Sequence, residues 1–259
     1  MKISLNKSSR LIIFAGLLSF SQLYAQVGGN NPTGVAGEFN GNVTTAGSYD
    51  PFTGSAHRSV VDMVIAGAVS KYGLSFSRTW TSRGIETSVG QSGGWNHSFA
   101  WSIPTFFDSP SPNPFYYPVS FPDGRVEVFT PQGGDWRAAA GTRERFAAVN
   151  AQLLCYLKLP DGGKVEFKMD RESYYDGELH QWFYNLYFTA QAIIDPYGQR
   201  TTLTYDTGGN LTQITEPAGR WIKLFYTTIS GFPVIDYIQA SDGRVVDYGY
   251  STFSYPGGG

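Results

Sequence analysis

At 259 residues the chain is long enough to bury a substantial core as one or two domains, and its balance, 16% aromatic with 31 glycines, is that of a sheet protein with many turns. A formal net charge of -2 with only 15% charged residues leaves no basic field able to gather phosphates, which excludes nucleic acid as a partner. The single cysteine, Cys155, has no second thiol for a disulfide or a metal site and is read as a small buried hydrophobe.

Residues 1–25 are predicted to be a signal peptide. Lys2, Lys7 and Arg10 precede an apolar run from Leu11 to Phe20, which is shorter than the roughly 20 residues a membrane span needs. Cleavage is expected after Ala25, giving a mature start at Gln26 and a released or surface-attached product. Residues 26–49, rich in Gly, Asn, Thr and Ala, are predicted to be a flexible leader, since few large side chains are available to offset the entropy of ordering.

Folded structure is predicted to start around Asp50-Pro51-Phe52-Thr53-Gly54. Leu74, Phe76, Arg78 and Trp80 alternate with small hydroxyl residues, the period of a half-buried strand, and Trp95 to Trp101 repeats the pattern. Between 104 and 122, six prolines predict an irregular loop, because proline cannot donate to a ladder. Residues 137 to 154 are alanine-rich and offer the one candidate helix, interrupted by Gly141.

A corner then recurs. Pro122-Asp123-Gly124-Arg125, Pro160-Asp161-Gly162, Asp195-Pro196-Tyr197-Gly198, Glu216-Pro217-Ala218-Gly219 and Ser241-Asp242-Gly243 each lead into an alternating strand. Glycine accepts the positive backbone angle of a tight turn, and Asp and Pro preset its neighbours. Gly198, Gly219 and Gly243 are spaced by 21 and 24 residues, a period in the range of repeat architectures. The predicted fold is all-β, with stacked antiparallel β-hairpins forming an open, repeat-type sheet or partial shell.

The run Asp195 to Arg220, with Tyr205-Asp206 followed by Gly209-Asn210-Leu211, resembles a full YD repeat of the RHS family. Residues 50–121, through Arg58-Ser59-Val60-Val61-Asp62, Leu74 to Arg83 and Gly93-Gly94-Trp95-Asn96-His97, resemble the N-terminal region that precedes such repeats. Residues 122–259 resemble the hairpin and YD-repeat region itself. The resemblance implies a secreted or surface β-ribbon that spirals into a shell, often around a C-terminal toxin or effector. Its expected partners are the remainder of the same or a companion YD-repeat chain and an enclosed effector domain. The chain lacks the self-cleaving end and the effector, and stops at a turn, Pro256-Gly257-Gly258-Gly259, so an N-terminal fragment is expected.

Gly90-Gln91-Ser92-Gly93-Gly94 spells a hydrolase nucleophile elbow, with His180 and Asp108 or Asp161 as conceivable partners, yet an aromatic strand follows it where that motif needs a helix. His57, His97 and His180 are scattered without metal-ligand spacing. Glu127 and Glu166 occupy equivalent positions after their corners, predicting a solvated strand face. Trp80, Trp95, Trp101, Trp136, Trp182 and Trp221 are read first as packing between hairpins and second as a platform for surface glycans. Asn42, Asn96 and Asn210 open glycosylation sequences read as chance. No catalytic, cofactor or metal residue is nominated. The leading expectation is a non-enzymatic structural or encapsulating module; the alternative is a secreted carbohydrate-binding β-domain.

Overall fold

The computed structural model describes residues 47–50, 55–82, 89, 95–133, 135–139 and 141–251, all of them within one unit covering residues 45–259. The expected signal peptide, most of the expected leader and the Ser92 motif lie outside the described residues. Among those described, every regular element is a strand. The fold is all-β and open, as the recurring corners predicted.

Four strands form an antiparallel N-terminal sheet in chain order: β1 (Gly47–Asp50), β2 (Ser55–Ile65), β3 (Leu74–Thr81) and β4 (Trp95–His97). Strand β1 falls largely inside the stretch read as leader, where β2 supplies its pairing partner. Leu74 and Phe76 face the core as their alternation predicted.

The large sheet is a meander in which each strand pairs with the next: β6 (Tyr117–Ser120), β7 (Val126–Gln132), β8 (Asp135–Arg137), β9 (Arg145–Ala147), β10 (Leu154–Lys158), β11 (Lys164–Asp176), β12 (Gln181–Ile194), β13 (Arg200–Tyr205), β14 (Leu211–Thr215), β15 (Trp221–Ile229), β16 (Phe232–Ala240) and β17 (Val245–Asp247). A further strand, β5 (Phe106–Ser109), leaves this order and pairs with β12 through Leu186 and Tyr184. The proline-rich segment therefore contains two short strands. Pro118 is accommodated because β6 terminates the sheet, and an edge strand needs donors on one side only.

Residues 137–154 form no helix. They hold the end of β8, all of β9 and the start of β10, with Trp136 opposite Phe146. Phe146 lies beneath Tyr117, ring centroids 4.4 Å apart, and Gly141 turns with φ of 102°. Burial of these aromatics in the sheet overrides the helix preference of the alanines.

One hydrophobic cluster joins the two sheets. Met63, Ile65, Leu74 and Phe76 come from the N-terminal sheet, and Phe129, Leu157, Phe167, Ile214, Ile222 and Ile238 from the meander. Each such side chain, fully buried, contributes about 1.5–3 kcal/mol. Cys155 is fully buried among them, and burial pushes its thiol up to about 12.

Candidate functional site

The meander turns by one repeated device. In the turns Phe121–Arg125, Leu159–Gly163, Asp195–Gln199, Asp206–Asn210, Glu216–Arg220 and Ala240–Arg244, the first residue donates its N–H to the carbonyl of the last, and the glycine between donates back to the first residue's carbonyl. The glycines Gly124, Gly162, Gly198, Gly209, Gly219 and Gly243 have φ between 82° and 94°. This is a three-residue hairpin loop, a type I turn closed by a left-handed residue.

Five of these corners share one margin of the meander, and the N-terminal sheet runs along it. The connection between β2 and β3, residues 66–73, acts as a strap. From one end, Arg244 donates to Val64 O at 2.7 Å. Arg220 donates to Ala66 O at 2.6 Å and also to Gly67 O, while Glu216 accepts the Val69 N–H at 3.1 Å. Asp195 accepts from Ser70 Oγ at 3.3 Å and from the Lys71 N–H at 2.8 Å. Asp161 takes Lys71 Nζ at 2.9 Å and the Tyr72 hydroxyl at 2.8 Å. At the far end Thr81 lies against Gly124, and Asn96 Nδ2 donates to Phe121 O at 3.2 Å.

The corner carboxylates thus work in two directions, capping their own turn and holding the strap. Asp195 Oδ1 accepts the N–H groups of Tyr197 and Gln199, both at 2.9 Å, while its Oδ2 faces the strap. Burial opposes its ionisation, but these donors outweigh burial and hold the carboxyl below its ordinary range. Lys71 and then the Tyr72 hydroxyl hold Asp161 down at about 2. Beyond the last corner, Arg78 makes a two-point ion pair with Asp62 at 2.6 and 2.9 Å and lies over the rings of Trp95 and Tyr248. The Tyr248 hydroxyl also donates to Asp62, at 2.8 Å.

The strap lies so close over the second corner that a Cβ on Gly163 would stand 1.8 Å from the Tyr72 hydroxyl and 2.9 Å from Ile194 O. Gly163→Ala is therefore expected to cost about 2 kcal/mol by urea unfolding. Part of that loss should vanish in a Tyr72→Ala background, because the two changes share the hydroxyl contact while the one with Ile194 O remains. Additive losses would show that the strap is not what confines this glycine.

The turn at Asp206–Asn210 lies at the opposite margin and satisfies itself. Asp206 Oδ1 accepts the N–H groups of Gly208 and Asn210, each at 2.9 Å, and Asn210 Nδ2 reaches Oδ2 at 3.0 Å. Beside it, Tyr205 packs against the core and Tyr226 donates its hydroxyl to Leu211 O at 2.8 Å. The Tyr-Asp pair is thus an anchor plus a turn cap. Residues 190–220, which span this turn and the corners on either side, match the RHS Repeat family. The chain carries an RHS repeat over these residues. Comparison with curated proteins finds no significant match.

A second distinctive surface of this RHS-repeat chain is the far end of the long ribbon formed by β11 and β12. Tyr174 stacks on Phe183 at 5.7 Å and Tyr175 meets Trp182 at 5.6 Å. Tyr174 donates to Asp108 at 2.5 Å and Tyr187 to Glu172 at 3.1 Å, so carboxylates fix both phenols. Trp182 is 54% exposed, whereas the other five tryptophans are half-buried as packing residues, with Trp136 on Tyr117 and Trp101 on Phe121.

The remaining singled-out residues disperse. His180 sits at the ribbon tip, beside the Tyr175 hydroxyl at 3.4 Å, while Asp108 in β5 accepts from Tyr174, which faces the other side of the strand. Asp161 is at the other end of β11, about 40 Å away at the rise of an antiparallel strand. His57 is in β2. His97 is buried in β4, stacked on Phe76 at 5.3 Å. Among the described residues no three His, Cys, Asp or Glu side chains gather as a metal site. Asn96 is 4% exposed, and Asn210 is engaged by Asp206.

Glu166 departs from the solvated face expected of it. The bulge between the Glu166 and Phe167 pairs lies on β12, which passes over Gln191, so β11 keeps its alternation and Glu166 is buried on the face opposite to Val165 and Phe167, with Tyr156 of β10 beside it. Glu166 then pairs with Arg200 at 2.6 Å across β12, where Ala192 stands opposite it. Glu127 stays partly exposed, 3.9 Å from Arg125. Nothing in the spacing of the corners signals that bulge or the strap. The one sequence cue to the strap is that Asp161, Asp195 and Glu216 recur at corners where a neutral turn residue would also serve.

Proposed function

We propose that this chain is an exported, non-catalytic structural module, the N-terminal part of an RHS-type shell that serves to enclose an effector. The observation that carries the reading is the row of near-identical corners held in register by the N-terminal sheet. That arrangement suits a scaffold that lengthens by adding hairpins, each sheltering the apolar side of its neighbour. The coding DNA beyond codon 259 tests it. Further glycine corners at similar spacing, then an unrelated domain, are expected; a stop codon directly after Gly259 would overturn the shell reading. Export is tested by N-terminal sequencing of secreted material, expected to begin at Gln26; material beginning at Met1 would contradict it. Among the described residues no helix is long and apolar enough to cross a membrane.

The exposed Trp182 beside Tyr175 favours a second reading, carbohydrate binding at the ribbon tip, since flat rings with polar edges suit the faces of sugars. On that reading a glycan array gives a defined ligand whose affinity falls about tenfold in Trp182→Ala, equivalent to about 1.4 kcal/mol. An array without hits removes it.

A further inference from the structure

The ribbon of β11 and β12 carries a strand edge that the meander leaves unpaired. Strand β10 pairs with β11 only as far as Lys168, and Met169 donates its N–H to Leu153 O at 2.8 Å, away from β12. In an antiparallel ribbon the N–H and C=O of alternate residues point to the same side. Those of Arg171, Ser173 and Tyr175 therefore point outward with Met169, while Asp170, Glu172, Tyr174 and Asp176 face β12. No described residue pairs with the outward groups, and all three residues are exposed.

An edge of this length is a template for another strand, and proteins commonly guard such edges with lysine, proline or a covering loop. Among the described residues no proline or covering loop guards Arg171–Tyr175, and what protects it is charge alone. Its charge selects among occupants. Between residues 168 and 178 stand Asp170, Glu172, Asp176 and Glu178 against two cations, Arg171 and Lys168, the latter paired with Asp170 at 2.8 Å, so the stretch keeps a net negative charge. The arginine is turned aside, over the Tyr184 ring at 5.7 Å and toward Pro112 O at 3.3 Å. A second copy pairing antiparallel about Ser173 would place Asp170 opposite Asp176, like charge on like.

We infer that the outer edge of β11 accepts an extended cationic segment of a partner protein as an added strand. Main-chain bonds to Arg171, Ser173 and Tyr175 supply the affinity, and basic side chains beside Asp170 and Glu172 supply the selectivity. This surface lies apart from the corner row and does not depend on the shell reading.

The test uses the full chain with two short synthetic peptides, one alternating lysine with valine and one alternating glutamate with valine. The lysine peptide is expected to slow hydrogen exchange of the Arg171, Ser173 and Tyr175 amides by at least about tenfold while leaving the Asp170 and Glu172 amides unchanged. Ser173→Pro, which deletes an outward donor and leaves the β12 ladder intact, is expected to weaken that peptide about tenfold with the circular-dichroism spectrum preserved. Asp170→Lys combined with Glu172→Lys alters side chains exposed on this face, at the loss of the Lys168 ion pair and the Tyr187 hydrogen bond, and is expected to reverse the preference toward the glutamate peptide. Outward amides that exchange equally fast with and without the lysine peptide would overturn the inference. So would equal binding of both peptides, or a neutral oligosaccharide that perturbs Trp182 while the edge amides stay fast.

Discussion

Arg220→Ala is expected to remove about 3 kcal/mol of folding stability, the largest effect of any single corner substitution. Glu216 explains the size. Its side chain is wholly inaccessible, and burial pushes its carboxyl toward neutrality, against which Arg220, 2.7 Å away, and the Val69 N–H hold it ionised. Removing the guanidinium leaves a buried charge with backbone donors alone and also frees the carbonyls of Ala66 and Gly67. Glu216→Gln combined with Arg220→Ala should recover about half the loss, because the stranded charge goes with it. The urea midpoint reads the stability, and hydrogen exchange at residues 66–69 should rise in Arg220→Ala. A loss under about 1 kcal/mol would show that the backbone donors suffice.

Acidification from pH 7 to pH 4 is expected to cost about 3 kcal/mol through one histidine. His97 is buried against Phe76, its Nδ1 accepting the Phe99 N–H at 3.3 Å, and burial lowers its pKa from 6.5 to about 4. Between those two values the unfolded chain binds a proton that the folded chain refuses. Stability therefore rises with pH across this window and falls as pH drops through 6.5 toward 4. The buried carboxylates act in the same direction only at lower pH, since their folded pKa values lie below the ordinary carboxylate range. A proton-titration curve should keep His97 neutral at pH 5, and His97→Phe should flatten the stability profile between pH 6.5 and 5. A His97 resonance that titrates near 6.5 in the folded chain would sink this prediction.

What could be read from the residues was whatever is local. Each corner announces itself because a left-handed glycine flanked by Asp or Pro dictates a turn within five residues, and the strands between alternate visibly. The Tyr205-Asp206 pair was legible for the same reason, since anchor and cap act on the turn they adjoin. Three features were not legible, each because its cause is remote in the chain. The proline-rich segment contains β5 and β6 only because β12 and β7 lie beside it. Glu166 is buried because Arg200 reaches it from β13 across the small Ala192. The strap meets Asp195 and Glu216 from more than 120 residues away, and no spacing rule links those positions.

The strap also fixes an order of events during synthesis. Strands β2 and β3 emerge from the ribosome early, yet their partners Glu216, Arg244 and Tyr248 lie 147, 180 and 186 residues from the positions they bind. Phe76 meets His97 and Phe99 soon after it is made, but the bonds that seat the strap at Glu216, Arg244 and Tyr248 must wait until nearly the whole meander has been made. The β2–β3 hairpin is thus made early and fully seated last, and a nascent chain stalled before Arg220 should be the species that holdase chaperones retain.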